Sequence, residues 1–157
     1  MSTRPRVAIV SGSPSDGNVM SQVGAMLDRF EVPWDEAVLS AHRAPKALAS
    51  WIDDLEPRGI EVVIAGAGMA AALPGTVAAH TILPVIGVPI RGGALDGLDA
   101  LLAISQMPPG VPVATVGLNG AKNAAVLAVQ ILAIGDPDLR AKLAQFKDDF
   151  EKAALNR

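Results

Sequence analysis

A three-layer α/β/α sandwich around a five-stranded parallel sheet is the fold class this sequence predicts. Three observations carry it. Apolar runs of strand length recur along the chain, stretches of helical period separate them, and nearly every run ends in glycine, serine or proline. The runs are continuously apolar rather than alternating, as strands buried on both faces must be.

Residues 7–10, Val-Ala-Ile-Val, read as the first strand. Val19, Met20, Val23, Leu27 and Phe30 then recur at helical spacing, with Asp16 or Asn18 as the expected cap. Residues 33–39 are more polar, which predicts an edge strand. Pro45 opens the second helix at a position where a missing N–H costs nothing, Leu48, Trp51, Ile52 and Leu55 supply its apolar stripe, and Pro57-Arg58-Gly59 ends it. Residues 61–65 are the third strand, and Pro74 is expected to start a helix reaching about Thr81 whose alanines and glycines permit close approach to the sheet. Residues 84–89 are the fourth strand, followed by a helix over 95–105 with Leu98, Leu101 and Leu102 expected inward.

Residues 111–116 are the expected fifth strand, and residues 121–134 are apolar almost all round. That pattern predicts a helix covered on every side, partly by a neighbouring subunit. Asp136-Pro137 starts a last helix over 136–157 whose Leu139, Leu143, Phe146 and Phe150 repeat nearly as a coiled-coil seam and are expected to project onto another subunit. With right-handed crossovers the natural strand order is 2-1-3-4-5, a flavodoxin-like arrangement whose switch point lies between strands one and three.

At 157 residues the chain is expected to form one domain, with its core over about residues 6–134. No run approaches the length of a membrane helix, and residues 1–5 lead straight into a strand, so no signal peptide is expected and the location expected is cytoplasmic. With no cysteine, two histidines and no His-Glu-x-x-His spacing, the residues predict chemistry without a metal or other cofactor. A formal charge of −3, with Arg91 and the lysines scattered, gives no footprint for nucleic acid. Hydrophobic residues make up 50% and charged ones only 18%, more apolar surface than a lone small domain hides, which predicts an oligomer.

Ligands of open α/β sheets bind outside the carboxyl ends of the strands. The first strand ends in Ser11-Gly12-Ser13-Pro14-Ser15-Asp16, whose hydroxyls and N–H groups suit a phosphate at a helix start, while Asp16 suits ribose hydroxyls; it is neither a Walker loop nor Gly-x-Gly-x-x-Gly. An ordinary turn and cap would use the same residues. The second strand delivers Ser40-Ala41-His42-Arg43-Ala44-Pro45: an imidazole able to give and take one proton near neutrality, beside a guanidinium whose fork suits phosphate or carboxylate. The third ends in Gly66-Ala67-Gly68-Met69-Ala70-Ala71-Ala72-Leu73-Pro74-Gly75, a second anion pocket or simply a tight turn. His80 is assigned no role, and Gln106-Met107-Pro108 and residues 119–123 read as turns at the edge of the cleft. On the residues alone the chain is a small-molecule enzyme with one histidine acid/base, or a flavodoxin-like binding module.

Gly12-Ser13-x-Ser15-Asp16, Ser40-Ala41-His42-Arg43, Ala65-Gly66-Ala67-Gly68 with Leu73-Pro74-Gly75, Leu83-Pro84-Val85-Ile86-Gly87-Val88-Pro89 and Gln106-Met107-Pro108-x-Gly110-Val111-Pro112 occur in that order. Together they strongly resemble the PurE family. The resemblance implies a step of purine biosynthesis in which a carboxylate moves from the exocyclic nitrogen of an aminoimidazole ribonucleotide to ring carbon C4, with neither ATP nor metal. It implies that His42 shuttles the proton, that Gly12, Ser13, Ser15, Asp16 and Arg43 hold the nucleotide, and that Ser40, Ala41, Gly66, Ala67, Gly68, Ala72 and Leu73 surround the imidazole and the migrating carboxylate. It also implies a homo-octamer. The third loop departs from the family pattern, with Met69 where glycine is usual and Ala72 where histidine is usual. That loop also resembles the one in LarB carboxylases, which carry an additional N-terminal region. Arg43 argues against the branch of the family that uses CO2 directly, where lysine usually follows the motif histidine.

Overall fold

The structure is a computed structural model that describes residues 4–156. Residues 1–3, expected to lead into the first strand, and residue 157, expected in the last helix, lie outside the described residues. Strands β1 (Val7–Ser11), β2 (Trp34–Val38), β3 (Val62–Gly68), β4 (Val85–Ile90) and β5 (Ala114–Thr115) pair in parallel in the order β2-β1-β3-β4-β5, as the alternation of runs and helices predicts. Helices α1 (Gly17–Arg29), α2 (Pro45–Asp53), α3 (Ala72–His80), α4 (Leu98–Ser105), α5 (Ala121–Leu132) and α6 (Pro137–Leu155) complete the chain.

Successive strand side chains point to opposite faces, so β1 sends Val7 and Ile9 into one core and Ala8 and Val10 into the other. The first core is closed by Met20, Val23 and Leu27 of α1, by the alanines of α5 and by Leu139 of α6. Leu48 and Ile52 of α2, Leu73 and Val77 of α3 and Ala100 and Ile104 of α4 close the second. On that second face the strands carry small residues. A Cβ built on Gly87 in β4 would lie 2.3 Å from Ile104 Cγ2 and 2.9 Å from Val113 Cγ1, so α4 sits against bare backbone.

Several boundaries differ from the sequence reading. Pro112 has no N–H for the ladder, and the expected fifth strand shrinks to Ala114 and Thr115 on the sheet edge. Conversely β3 runs three residues past Ala65, because Ala67 pairs with Pro89 and Gly68 with Ile90. Helix α3 begins at Ala72, so Pro74 sits inside its first turn, where no N–H is needed. Asp16 occupies the N-cap position of the first helix, as one of the two expected caps, but its side chain makes no capping bond there. Ser13 instead caps a 3-10 turn over Pro14–Asp16, and α1 follows at Gly17.

One burial expectation is overturned. In α4 the inward residues are Ala100 and Ile104, whereas Leu98 is 52% exposed and Leu102 is exposed as well, because Gly87 admits Ile104 and turns the leucine side outward. Helix α5 packs on α1, α6 and the sheet of its own chain, which bury its alanines, Val129 and Leu132, while Val126, Leu127 and Ile131 are only partly buried and Ile134 just after it is 83% exposed. Helix α6 leaves the domain only in its second half. Leu139 is buried, Leu143 and Phe146 pack on the first core, and Phe150 is 70% exposed. The start of α6 is fixed by Asp136, which accepts from Leu139 N at 3.1 Å and from Arg6 Nη1 at 2.7 Å.

Gly87→Ala should cost about 1–3 kcal/mol through overpacking against the branched side chain of Ile104. A urea midpoint equal to that of wild type would show that α4 can step back from the sheet.

Candidate active site

Three strand ends lie side by side because β1 is paired with β2 on one edge and with β3 on the other. The ladder continues into the loops. Leu39 N donates to Ser11 O at 2.9 Å and Gly12 N to Gly66 O at 3.2 Å, so each loop leaves the sheet beside its neighbour. A Cβ placed on Gly12 would stand 3.8 Å from Asp16 Oδ2 and 3.9 Å from both Ala67 and Leu73, which measures how closely the first and third loops meet.

These loops enclose a cleft of ≈ 660 Å³. Gly12, Ser13, Ser15 and Asp16 line it from the first loop, and Ser40, Ala41, His42 and Arg43 from the second. Ala67, Gly68, Ala72 and Leu73 line it from the third. Of the residues expected here only Gly66 stays out of the cleft. It lies within β3, where a Cβ would be 2.3 Å from Met20 Sδ, and so it makes room for a core side chain rather than for a ligand.

The first loop is held by its own polar atoms. Ser13 N donates to Asp16 Oδ2 at 3.0 Å, while Ser13 Oγ accepts from Ser15 N at 3.3 Å and from Ser15 Oγ at 2.9 Å. A hydroxyl that accepts twice within its loop keeps its own hydrogen for a third partner. In the second loop Ser40 Oγ accepts from Arg43 N at 3.2 Å and Ser40 O from Ala44 N at 2.9 Å, a turn that ends at Pro45, the first residue of α2. His42 and Arg43 are thereby carried on a braced turn with both side chains exposed to the cleft. Among the described residues neither side chain is tied to a hydrogen-bond or ion-pair partner.

The third loop carries backbone strain. Met69 has φ +53° and Ala71 φ +40°, the left-handed region that glycine adopts freely and that costs other residues roughly 1–2 kcal/mol. Ala71 N donates to Gly68 O at 3.0 Å and the Ala71 methyl is buried, so packing holds the conformation. Met69, standing where glycine is usual in the family that the motifs resemble, occupies one of these strained positions.

The sequence reading missed the fourth strand end. Ile90, Arg91, Gly92 and Gly93 also line the cleft. Arg91 Nη2 pairs with Asp96 Oδ2 at 2.5 Å, and Arg91 N donates to Asn119 Oδ1 at 2.9 Å. The signal was available, since the rule applied to strands one to three holds for strand four and an arginine before two glycines follows it. Met107 lies behind α3 against Gly75, so that expected loop does not reach the cleft, and His80 Nδ1 lies 2.8 Å from Thr76 O within α3. No three acidic, histidine or cysteine side chains converge as a metal-holding group among the described residues.

Asp16 is only 8% exposed, and burial pushes its carboxyl above the ordinary aspartate value of 3.8 despite the backbone N–H bonds from Ser13 and Gly12 that favour the charged form. A raised carboxyl favours folding when protonated. Its stabilising contribution is present below the ordinary value and is lost as pH rises through the raised one. Asp16→Asn should therefore raise the urea midpoint of the free protein near neutral pH, with the gain shrinking as the pH falls towards 3.8. A gain that does not change with pH would contradict this account.

Known proteins carry the same pattern. The profile of the AIR carboxylase family matches residues 6–153. N5-carboxyaminoimidazole ribonucleotide mutase of Pyrococcus abyssi is 54% identical over 148 residues, covering 94% of this chain and 85% of that one. The protein of the same name from Mycobacterium tuberculosis is 55% identical over 145 residues, covering 92% and 83%. The crystal structure of Treponema denticola PurE superposes with a TM-score of 0.90 at 25% identity, covering 98% of this chain and 96% of that one. Motifs, strand order and relatives agree, and the chain belongs to the AIR carboxylase family.

Proposed function

We propose that the chain is an N5-carboxyaminoimidazole ribonucleotide mutase, which moves the carboxylate of its substrate from the exocyclic nitrogen to ring carbon C4 in purine biosynthesis. The observation that carries this reading is the meeting of an exposed imidazole, a guanidinium and an alanine-rich loop in one cleft, in a chain that shares over half its residues with such mutases.

The atoms balance without ATP or an oxidant. Breaking the bond between nitrogen and the carboxyl carbon releases CO2, and the nitrogen takes a proton. C4 then attacks the same CO2 and gives up its own proton as the new carbon–carbon bond forms. One acid/base group serves both transfers, and His42 is the group we assign to them. CO2 is small and neutral, so it is retained by a close-fitting apolar wall, the role given to Ala67, Ala72 and Leu73 with Gly68 and Ala41 at the edge.

The nucleotide is divided between the first two loops. Arg43 and the outward hydroxyl of Ser13 suit the phosphate, with Ser15 and Gly12 shaping that end and Ser40 standing with Ala41 beside the imidazole. Asp16, as a carboxylate, repels phosphate and suits ribose hydroxyls. We also infer a homo-octamer, supported by exposed Leu98 and Leu102 of α4 and Phe150 and Leu155 of α6.

Purified protein given N5-carboxyaminoimidazole ribonucleotide without ATP should form the C4-carboxylated product. Product formed only from aminoimidazole ribonucleotide with bicarbonate would instead identify a direct carboxylase. His42→Ala should lose about 10²–10⁴-fold in kcat while still binding ribonucleotide. Arg43→Ala should chiefly raise KM. Turnover that survives His42→Ala would remove the proton shuttle from this residue. Light scattering should return the mass of an octamer of the 16.1 kDa chain, and Phe150→Asp should lower it.

A further inference from the structure

We propose that Arg91 is the second anion-binding residue of the cleft, exchanging Asp96 for the carboxylate of the ligand; the proposal rests on the mutase reading and extends it. A carboxylated ribonucleotide carries two anionic groups at opposite ends, a phosphate and a carboxylate. The cleft carries two arginines, Arg43 beyond β2 and Arg91 beyond β4. Strand order sets them apart. β1 and β3 lie between β2 and β4, and three inter-strand steps span roughly 14 Å. One ligand lying across the ends of β1 and β3 therefore meets a guanidinium on each side.

Arg91 stands beside the loop assigned to the reacting end. Gly68 pairs with Ile90, and a Cβ on Gly93 would be 3.3 Å from Met69 Cγ, so the segment after β4 packs directly on the third loop. The backbone of Arg91 is fixed while its side chain is not. Arg91 N donates to Asn119 Oδ1 at 2.9 Å, and Asn119 N donates to Pro89 O at 2.8 Å, which clamps the exit of β4. Among the described residues the guanidinium is held only by Asp96, and the two side chains are 55% and 67% exposed. An exposed pair held through a single oxygen exchanges readily for a carboxylate that presents two.

The chemistry sets the kinetic signature. Arg91 pairs with the carboxylate in substrate and product alike and loses that partner at the CO2 stage, so it contributes ground-state binding rather than rate. Asp96 keeps the guanidinium neutralised and aimed when no ligand is bound.

Calorimetric titration with the C4-carboxylated ribonucleotide and with aminoimidazole ribonucleotide, which lacks the carboxylate, tests the assignment. Arg91→Gln should weaken the carboxylated ligand by about 10–100-fold, the weight of a charge-assisted pair, and leave the other within about twofold. Its KM should rise while kcat does not fall, and Asp96→Asn should tighten the carboxylated ligand. Equal weakening of both ligands, no weakening of either, or an Asp96→Asn variant as weak as Arg91→Gln would overturn the proposal while wild-type turnover keeps the mutase reading. Wild-type protein that binds neither ribonucleotide would overturn both.

Discussion

With β1 hydrogen-bonded to β2 on one edge and to β3 on the other, all running the same way, the chain must leave the sheet at neighbouring points along one rim. Everything assigned to chemistry follows from that pairing. The serines and Asp16 leave from β1, His42 and Arg43 from β2, and the alanine-rich turn from β3. A parallel sheet needs a covering helix after each strand, so these exits are also helix starts, where backbone N–H groups are unpaired and polar ligands are favoured.

The cleft is maintained at some cost in stability. Asp16 is a nearly buried carboxyl with a raised pKa, and Met69 and Ala71 hold left-handed backbone that glycine would adopt without strain. Each feature opposes folding and each faces the cleft. The remainder of the molecule offsets them with two apolar cores, one on each face of the sheet, in which the residues of β1, β3 and β4 are almost wholly buried. Unfavourable local choices at a binding rim are what selection for binding leaves in a structure, and Glu31 after α1 is a left-handed residue outside that rim.

The apolar excess of the composition divides unevenly. Helix α5 uses its apolar surface inside its own chain, between α1, α6 and the sheet. The leucines on the outer side of α4 and the last turns of α6 have no cover among the described residues. In α4 the exposed apolar surface falls on leucines whose spacing suggested an inward face, because Gly87 fixes which side of α4 meets the sheet, whereas Phe150 of α6 lies on the stripe expected to project.

The sequence by itself determined the element order, the parallel sheet and the three loops. Apolar run length, helical period and terminal prolines or glycines are local properties, and local physics suffices to read them. The imidazole beside a guanidinium at a strand end was legible for the same reason. Tertiary structure alone decided that Gly66 serves Met20 rather than a ligand and that Ala100 and Ile104 face inward in α4. Each of these depends on which side chain fills the space opposite a residue distant in the chain. Periodicity places a residue on a strand or a helix, but only packing across the sheet decides what it touches.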